Sequence, residues 1–250
     1  MSKPHSMNDN LLKHIDEVLA LHRAQVANKT LPNKKQMLLK HEFNKHQEQF
    51  FDQQADWYIS SKATPEEVKL KLNRMFNILK AHCNALPNNE FNVLDVGSGA
   101  GVLIPFINKT FLNSNIHAID LSQQQLNNLK ERFPEVKTHL GDISEFICHD
   151  SFQLIICNAC FGNFFSQYDA LKRITELLRV NGFIAISHPV GAHFVEKLHL
   201  QDANTVPHTL PITEKEINNL CFSNDLIVRE FINEELFYLL ILQKIQGMSC

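Results

Sequence analysis

The stretch VLDVGSGAG, residues 93–101, leads from an apolar segment into three glycines within five positions, Gly97, Gly99 and Gly101, with Ser98 between the first two. Glycine is scarce elsewhere, since the chain has only 8 glycines among 250 residues. A glycine cluster permits a tight turn and lets a ligand approach the backbone closely. We therefore expect a strand, a tight loop and then a helix whose free N–H groups face a ligand.

Short apolar segments alternate with helical patterns on both sides of this loop. The patterns predict strands at 91–96, 115–119, 136–140, 152–157 and 182–187, and helices at 101–112, 122–133, 167–180 and 213–222. Such alternation predicts an α/β fold with a doubly wound, mostly parallel sheet. Two more apolar runs, 226–232 and 236–243, are joined by too few residues for a crossover, so the last strand is expected to be antiparallel.

The chain is expected to divide into a helical N-terminal extension, residues 1–85, and a ligand-binding domain, residues 86–250. Within the extension, helical patterns cover 9–30, part of 34–54 and about 64–82. The net charge of −3 and the 44% apolar content exclude a polycationic nucleic-acid binder and a disordered chain. No apolar run approaches the roughly 20 residues that span a bilayer. Six dispersed cysteines indicate a reducing compartment, so we expect a cytoplasmic protein. The net charge favours a small-molecule partner over nucleic acid.

Acidic residues stand at the ends of three predicted strands. Asp95 precedes the glycine loop, Asp120 ends the second strand, and Asp142 follows the third. A carboxylate in the position of Asp120 can accept hydrogen bonds from both hydroxyls of a ribose. The G-x-G-x-G spacing and the acid at position 95 favour a cationic nucleoside ligand over a dinucleotide, and so argue against an NAD-dependent oxidoreductase.

The chain resembles the class I S-adenosylmethionine-dependent methyltransferases. VLDVGSGAG is similar to their motif I, HAIDLS (117–122) to motif II, LGDI (140–143) to motif III, FQLIICNACFGN (152–163) to motif IV, and LLRVNGFIAIS (177–187) to the segment entering their fifth strand. The resemblance implies a Rossmann-like sheet of seven strands in the order 3-2-1-4-5-7-6, with strand 7 antiparallel. It also implies S-adenosyl-L-methionine as the cofactor.

The resemblance further implies residue roles. Asp95 would reach the cofactor's ammonium through water, Asp120 would hold the ribose hydroxyls, and Asp142 would accept the adenine amino group. The complete implied cofactor site comprises Asp95, Gly97, Ser98, Gly99, Gly101, Asp120, Leu121, Asp142, Ile143 and Asn158. The segment FFDQQADWY, residues 50–58, resembles a cofactor lid, which places Trp57 and Tyr58 beside the substrate.

The segment after the fourth strand is expected to face the transferred methyl group, and three interpretations of it compete. In the first, Asn158 and Phe161 are remnants of the [DN]PP[YF] box of amino-methyltransferases that act on nucleic acids and proteins, although Pro-Pro is absent. Cys157 and Cys160 alternatively form a redox or metal pair. We favour the third interpretation, in which small residues leave room for the cofactor while Asn158, Cys160 and Phe161 line the site.

His188, at the end of the fifth strand, is our candidate general base, against the alternative of a structural loop histidine. The following insertion, about 191–211, carries His193, Glu196 and His199, but we interpret it as a cover over the substrate and predict no metal site. The predicted function is methyl transfer to a small organic acceptor. The alternatives are a methyltransferase acting on tRNA or protein, and a non-catalytic binding protein with the cofactor fold.

Overall fold

The structure, a computed structural model, describes residues 33–60, 66–84, 86, 91–222 and 224–246. The helices are α1 (Asn33–Ser60), α2 (Glu66–Cys83), α3 (Ile104–Thr110), α4 (Gln123–Arg132), α5 (Gln167–Leu177), α6 (Ala192–Gln201) and α7 (Glu214–Phe222). The strands are β1 (Asn92–Val96), β2 (Asn115–Asp120), β3 (Lys137–Leu140), β4 (Phe152–Asn158), β5 (Leu178–His188), β6 (Leu226–Glu234) and β7 (Phe237–Lys244). The helical pattern predicted at 9–30 lies outside the described residues.

All seven strands form one sheet in the order β3-β2-β1-β4-β5-β7-β6. The five strands from β3 to β5 are parallel, and β7 pairs antiparallel with both β5 and β6. The predicted fold class, strand order and antiparallel strand are confirmed. Because the carboxyl ends of β1, β2, β3 and β4 lie at one edge of the sheet, the residues that follow these strands are brought together there.

Two predicted starts differ from the structure by three or more residues. Strand β5 begins at Leu178, so residues 178–180 are strand and not the end of a helix. The cause is tertiary pairing, since Leu178 pairs with Phe152 and the register then shifts before the next pair. Helix α3 begins at Ile104 rather than at the last glycine of the loop, because a proline occupies its first turn and turns precede it.

Two hydrophobic clusters cover the two faces of the sheet. On one face, β1 and β7 share a cluster with apolar residues of α2: Leu72, Met75, Phe76, Leu79 and Cys83. Helix α2 is therefore packed as part of the sheet's own core, although the sequence analysis assigns it to the N-terminal extension. On the other face the cluster includes residues of α5, α6 and α7. No helix in the described part of the chain is both long and apolar enough to cross a membrane.

Candidate functional site

The glycine loop turns sharply between β1 and α3. Gly97, Gly99 and Gly101 have φ angles of 62°, 51° and 81°, a region that residues with a Cβ rarely adopt. The N–H groups of Gly97 and Ser98 donate to the Ile119 carbonyl at 2.9 and 3.2 Å, which fixes the loop against β2.

Two of these glycines serve different purposes. A Cβ on Gly99 would have only Gln125 Oε1 nearby, at 3.9 Å, so this part of the backbone borders open space. A Cβ on Gly101 would instead come within 3.2 Å of atoms of Leu129, Ile104 and Phe133. Gly99 therefore borders a space that can hold a ligand, whereas Gly101 is required for packing.

The carboxylate of Asp95 is buried at the end of β1, with 2% of the residue exposed. Its Oδ2 atom has no hydrogen-bond partner among the described residues. Burial, reinforced by the charge of Asp120, raises the pKa of Asp95 to about 8. A buried carboxylate with a free oxygen is stabilised by a cation, and this residue is where the resemblance implies the cofactor's ammonium.

Two further buried polar atoms near the loop lack partners among the described residues. These are Ser98 Oγ and Gln125 Oε1, and the latter is the atom that faces Gly99. Buried polar atoms without a protein partner are available to a ligand or to water, and three of them surround one glycine loop. Ser98 is among the site residues predicted from the sequence, whereas Gln125 is not, because its pattern marks it only as part of a helix start.

Asp120 holds the glycine loop in place. Its Oδ2 accepts a hydrogen bond from Gly99 N at 2.8 Å, and its Oδ1 accepts one from Ser122 N at 2.9 Å. Burial raises the pKa of Asp120, while these hydrogen bonds act in the opposite direction. Each carboxylate oxygen can accept a second hydrogen bond, so the residue retains the capacity to bind ribose hydroxyls. Leu121 follows and is half-buried.

The Asp142 carboxylate forms a hydrogen bond and an ion pair with side chains of α1. Its Oδ2 accepts a hydrogen bond from Asn44 Nδ2 at 2.9 Å and lies 3.1 Å from Lys40 Nζ, while Oδ1 accepts from Ser144 N and Oγ, each at 2.8 Å. Burial alone would raise the pKa of Asp142, but Lys40 and these hydrogen bonds hold it below its usual range. Ile143, the next residue, is buried and begins a short 3₁₀ helix.

Helix α1 crosses the carboxyl edge of the sheet. Beyond Asp142, its Asp52 side chain pairs with Ser122 Oγ, and its Gln47 Nε2 donates to the Thr205 carbonyl at 2.8 Å. Phe43 packs on Phe165 with ring centroids 5.5 Å apart. These contacts are not predicted from the sequence, because residues 43–47 carry no motif and the lid resemblance at 50–58 implies no partner for Asp52.

The two aromatic residues predicted in the lid lie near the end of α1. Trp57 and Tyr58 belong to this helix, but their side chains lie outside the described residues. Their contact with a substrate stays a prediction.

The segment after β4 lies against the glycine loop. The Cys160 thiol donates to the Val96 carbonyl at 3.0 Å, and Cys160 Cβ lies 2.6 Å from where a Cβ on Gly97 would stand. Asn158 Oδ1 accepts a hydrogen bond from Ser187 Oγ at 3.0 Å. Phe161 is 1% exposed and packs in the core against Phe164, so its ring is not available to stack on an exposed base.

Cys157 and Cys160 are both free thiols. A hydrogen bond with Cys157, together with burial, raises the pKa of the Cys160 thiol. A high thiol pKa reduces the thiolate that redox exchange and metal binding require, so the chemistry of this pair favours a packing role.

His188 is buried with a defined tautomer. Its Nδ1 accepts a hydrogen bond from Val190 N at 3.2 Å, so in the neutral ring Nε2 carries the proton. Burial lowers the pKa of His188 to about 4. The ring lies 5.4 Å from that of Phe194 at the start of the insertion. A role as base would require Nδ1 to leave Val190, and this role stays a prediction.

The insertion, residues 191–211, is hydrogen-bonded to the segment that follows β4. His208 N donates to the Gly162 carbonyl at 3.1 Å, and Asn163 Nδ2 donates to the Thr205 carbonyl at 2.9 Å. His199 Nδ1 lies 2.8 Å from the Val206 carbonyl, which gives this histidine a structural role within the insertion.

Comparisons with known proteins agree with this fold. Residues 87–236 match the family described as a methyltransferase domain. A malonyl-[acyl-carrier protein] O-methyltransferase from Priestia megaterium is 29% identical over 146 residues, which cover 54% of this chain and 53% of that protein. The chain thus spans about half the length of this curated relative.

Two solved structures share the fold at low sequence identity. Magnesium protoporphyrin IX methyltransferase from Synechocystis PCC 6803, with bound SAH, has a TM-score of 0.61 and 11% identity, covering 81% of this chain and 99% of that one. Plantazolicin methyltransferase, in complex with a pentazolic desmethylPZN analog and SAH, has a TM-score of 0.60 and 14% identity, covering 94% and 98%. Because the family match covers more than half of the chain, this protein belongs to the class I S-adenosylmethionine-dependent methyltransferases.

Proposed function

We propose that this protein transfers a methyl group from S-adenosylmethionine to a small organic acceptor. The observation that carries the proposal is the buried, unpartnered Oδ2 of Asp95 beside the glycine loop. With Ser98 Oγ and Gln125 Oε1 also unpartnered, the loop has both a site for a cation and additional polar positions for a ligand.

The residues at this edge fit the parts of S-adenosylmethionine. Asp95 would receive the ammonium, Asp120 the ribose hydroxyls, and Asp142 the adenine amino group. When bound, the cofactor supplies an electrophilic methyl group on a positively charged sulfur. Acidic residues tolerate this positive charge, and they would repel the pyrophosphate of a dinucleotide.

The protein's own contribution is positioning and exclusion of water. In-line transfer of a methyl group depends on aligned reactants, and closure of a site removes competing water. Helix α1 and the insertion lie over the carboxyl edge and are joined by the Gln47–Thr205 contact, so together they form a cover. Asn158 and His188 stand at the ends of β4 and β5, where they can orient an acceptor.

The cover and the packing of Phe161 support a small acceptor. A tRNA or protein chain would have to displace α1, which is held at Ser122 and Thr205. Phe161 is in the core and does not offer the aromatic face that the [DN]PP[YF] interpretation needs. The malonyl-[acyl-carrier protein] relative suggests free carboxylates and thioester-linked acids as the first acceptors to test.

A screen for methyl acceptance tests this proposal. The full chain is incubated with S-adenosylmethionine and pools of small organic acids, phenols and amines, and S-adenosylhomocysteine release is measured together with the mass of the product. We expect release with at least one small acceptor, and slower release with Asp120→Ala at a concentration of S-adenosylmethionine that does not saturate the variant. Release only with tRNA or protein, falling steeply as salt is added, would refute the small-acceptor assignment.

A further inference from the structure

A cluster of side chains of the types that bind metals lies away from the glycine loop. His117 is on β2, and Cys148 and Asp150 are in the connection that leads into β4. A ring nitrogen of His117, the Cys148 sulfur and an Asp150 carboxylate oxygen lie within 4.8 Å of one another. His117 stands three positions before Asp120 on the same strand, so the cluster is set back from the carboxyl edge.

His117 offers one uncommitted nitrogen to this cluster. The residue is 2% exposed, and its Nε2 has no hydrogen-bond partner among the described residues. Asp150 Oδ2 lies 3.3 Å from Nε2 but without the direction of a hydrogen bond. The other nitrogen, Nδ1, lies 3.1 Å from His139 Nε2. If Nδ1 donates its proton to His139, the Nε2 lone pair faces the Asp150 carboxylate, and a cation between them removes the repulsion.

We propose that His117 Nε2, Cys148 Sγ and Asp150 Oδ2 form a zinc-binding site. These nitrogen, sulfur and oxygen ligands are the set that Zn²⁺ takes in proteins. His139 would be the outer partner that orients the His117 ring, as histidine ligands usually require. Asp150 is exposed at its carboxylate, so water can complete the fourth position.

The observed distances suit this assignment. Ligands about 2.0 to 2.3 Å from a tetrahedral Zn²⁺ stand about 3.3 to 3.8 Å apart. The His117–Asp150 separation of 3.3 Å already has this value, and rotation of the half-buried Cys148 side chain can bring in the sulfur. Lys137 Nζ, 3.7 Å from Asp150 Oδ2, is the cation that the metal must displace from the carboxylate.

No metal site is predicted here from the sequence. The separation between His117 and the Cys148–Asp150 pair has no recognisable zinc-ligand spacing, and only the pairing of β2 with its neighbours reveals the cluster. A metal here would tie the connection before β4 to β2, and it is independent of the proposed methyl transfer.

Cobalt substitution tests the site. The full chain is stripped with a chelator, kept reduced, and titrated with Co²⁺ and then Zn²⁺. We expect one equivalent of Co²⁺ with a thiolate-to-metal charge-transfer band and the visible bands of a tetrahedral ion, which Zn²⁺ displaces. Cys148→Ser should eliminate the charge-transfer band, whereas Cys221→Ser, at a cysteine outside the cluster, should leave it unchanged.

Two further variants test the site without replacing His117, because substitution of this buried residue is expected to destabilise the fold. Asp150→Asn changes an exposed residue, and we expect it to weaken Zn²⁺ binding at least tenfold. His139→Phe removes the outer partner and should weaken binding by about 10- to 100-fold. No Co²⁺ binding, or a charge-transfer band that survives Cys148→Ser, would overturn the proposal.

Discussion

Asn44 on α1 donates a hydrogen bond to Asp142 at the end of β3, with Nδ2 2.9 Å from Oδ2. The resemblance to class I methyltransferases assigns this carboxylate to the adenine amino group, which is also an N–H donor. Helix α1 therefore occupies the hydrogen-bonding position that the cofactor is expected to use, and we expect binding of the cofactor to require release of this contact.

Removal of this contact should favour the cofactor. We expect Asn44→Ala to bind S-adenosylmethionine up to about tenfold more tightly, because a typical net hydrogen bond contributes about 0.5 to 1.5 kcal/mol. Gln49→Ala, an exposed position on the same helix, is the matched control and should not change the dissociation constant. Weaker binding by Asn44→Ala would show that the amide helps to hold the cofactor.

Two glycine substitutions should separate binding from stability. Gly99→Ala and Gly101→Ala both place a residue with a Cβ in the left-handed region, which destabilises the fold by roughly 1 to 2 kcal/mol. Only Gly101→Ala also meets packed side chains, so it should lower the free energy of unfolding further, by about 1 to 3 kcal/mol. Gly99→Ala should instead cause the larger loss of cofactor affinity. Denaturant unfolding and calorimetry on both variants check this, and the reverse order would contradict the placement of the ligand.

The neutral His188 should make the fold sensitive to acid. Its folded pKa is lowered to about 4, so its contribution to stability is complete above its unfolded pKa of about 6.5 and is lost as the pH falls toward 4. We expect His188→Gln to show a smaller fall in melting temperature than the unmodified chain over that interval. Equal slopes for both would mean that His188 ionises freely in the folded protein.

His188 should also produce no inflection in the pH dependence of the rate of methyl transfer. A group with a pKa of about 4 does not titrate near pH 6.5, so the rate of methyl transfer should not change there because of this residue. If His188→Gln removes an inflection near neutral pH, the histidine acts as a base after all.

Asp95 should make cofactor binding depend on pH. Its folded pKa is about 8 and its unfolded pKa about 4, so ionisation destabilises the ligand-free fold as the pH rises between these values. A cationic ammonium favours the ionised form, so affinity should rise from about pH 5.5 to 7.5 with release of a proton. Calorimetry in two buffers of different ionisation enthalpy measures this proton. Asp95→Asn should remove the release, and an unaltered proton count would exclude Asp95 as its source.

The strands could be predicted because the apolar pattern that specifies each of them is local in the sequence. Apolar runs, the glycine loop and the short link before the last strand predict the parallel sheet and its antiparallel strand, whereas the strand order is implied by the resemblance to class I methyltransferases and is confirmed by the structure. The early start of β5 was not predictable, because Leu178 becomes strand only by pairing with Phe152. Local helical preference is overridden there by tertiary pairing.

Some residues of the candidate site could likewise be predicted from the sequence, and others could not. Asp95, Asp120 and the glycine loop follow from strand ends, so their meeting at one edge is a consequence of topology. Contacts from α1, such as Lys40 with Asp142, connect residues about a hundred positions apart and depend on the docking of a polar helix. Neither periodicity nor a motif marks those residues.

The most direct test of the account is calorimetric titration of the full chain with S-adenosylmethionine, before and after Asp120→Ala. We predict one binding site per chain and a loss of roughly 1 to 3 kcal/mol in the variant, as expected for hydrogen bonds to a charged group. Circular dichroism on both proteins verifies that the fold is retained. An affinity that Asp120→Ala leaves unchanged, or the lack of any binding by the unmodified chain, would contradict a cofactor site at the glycine loop.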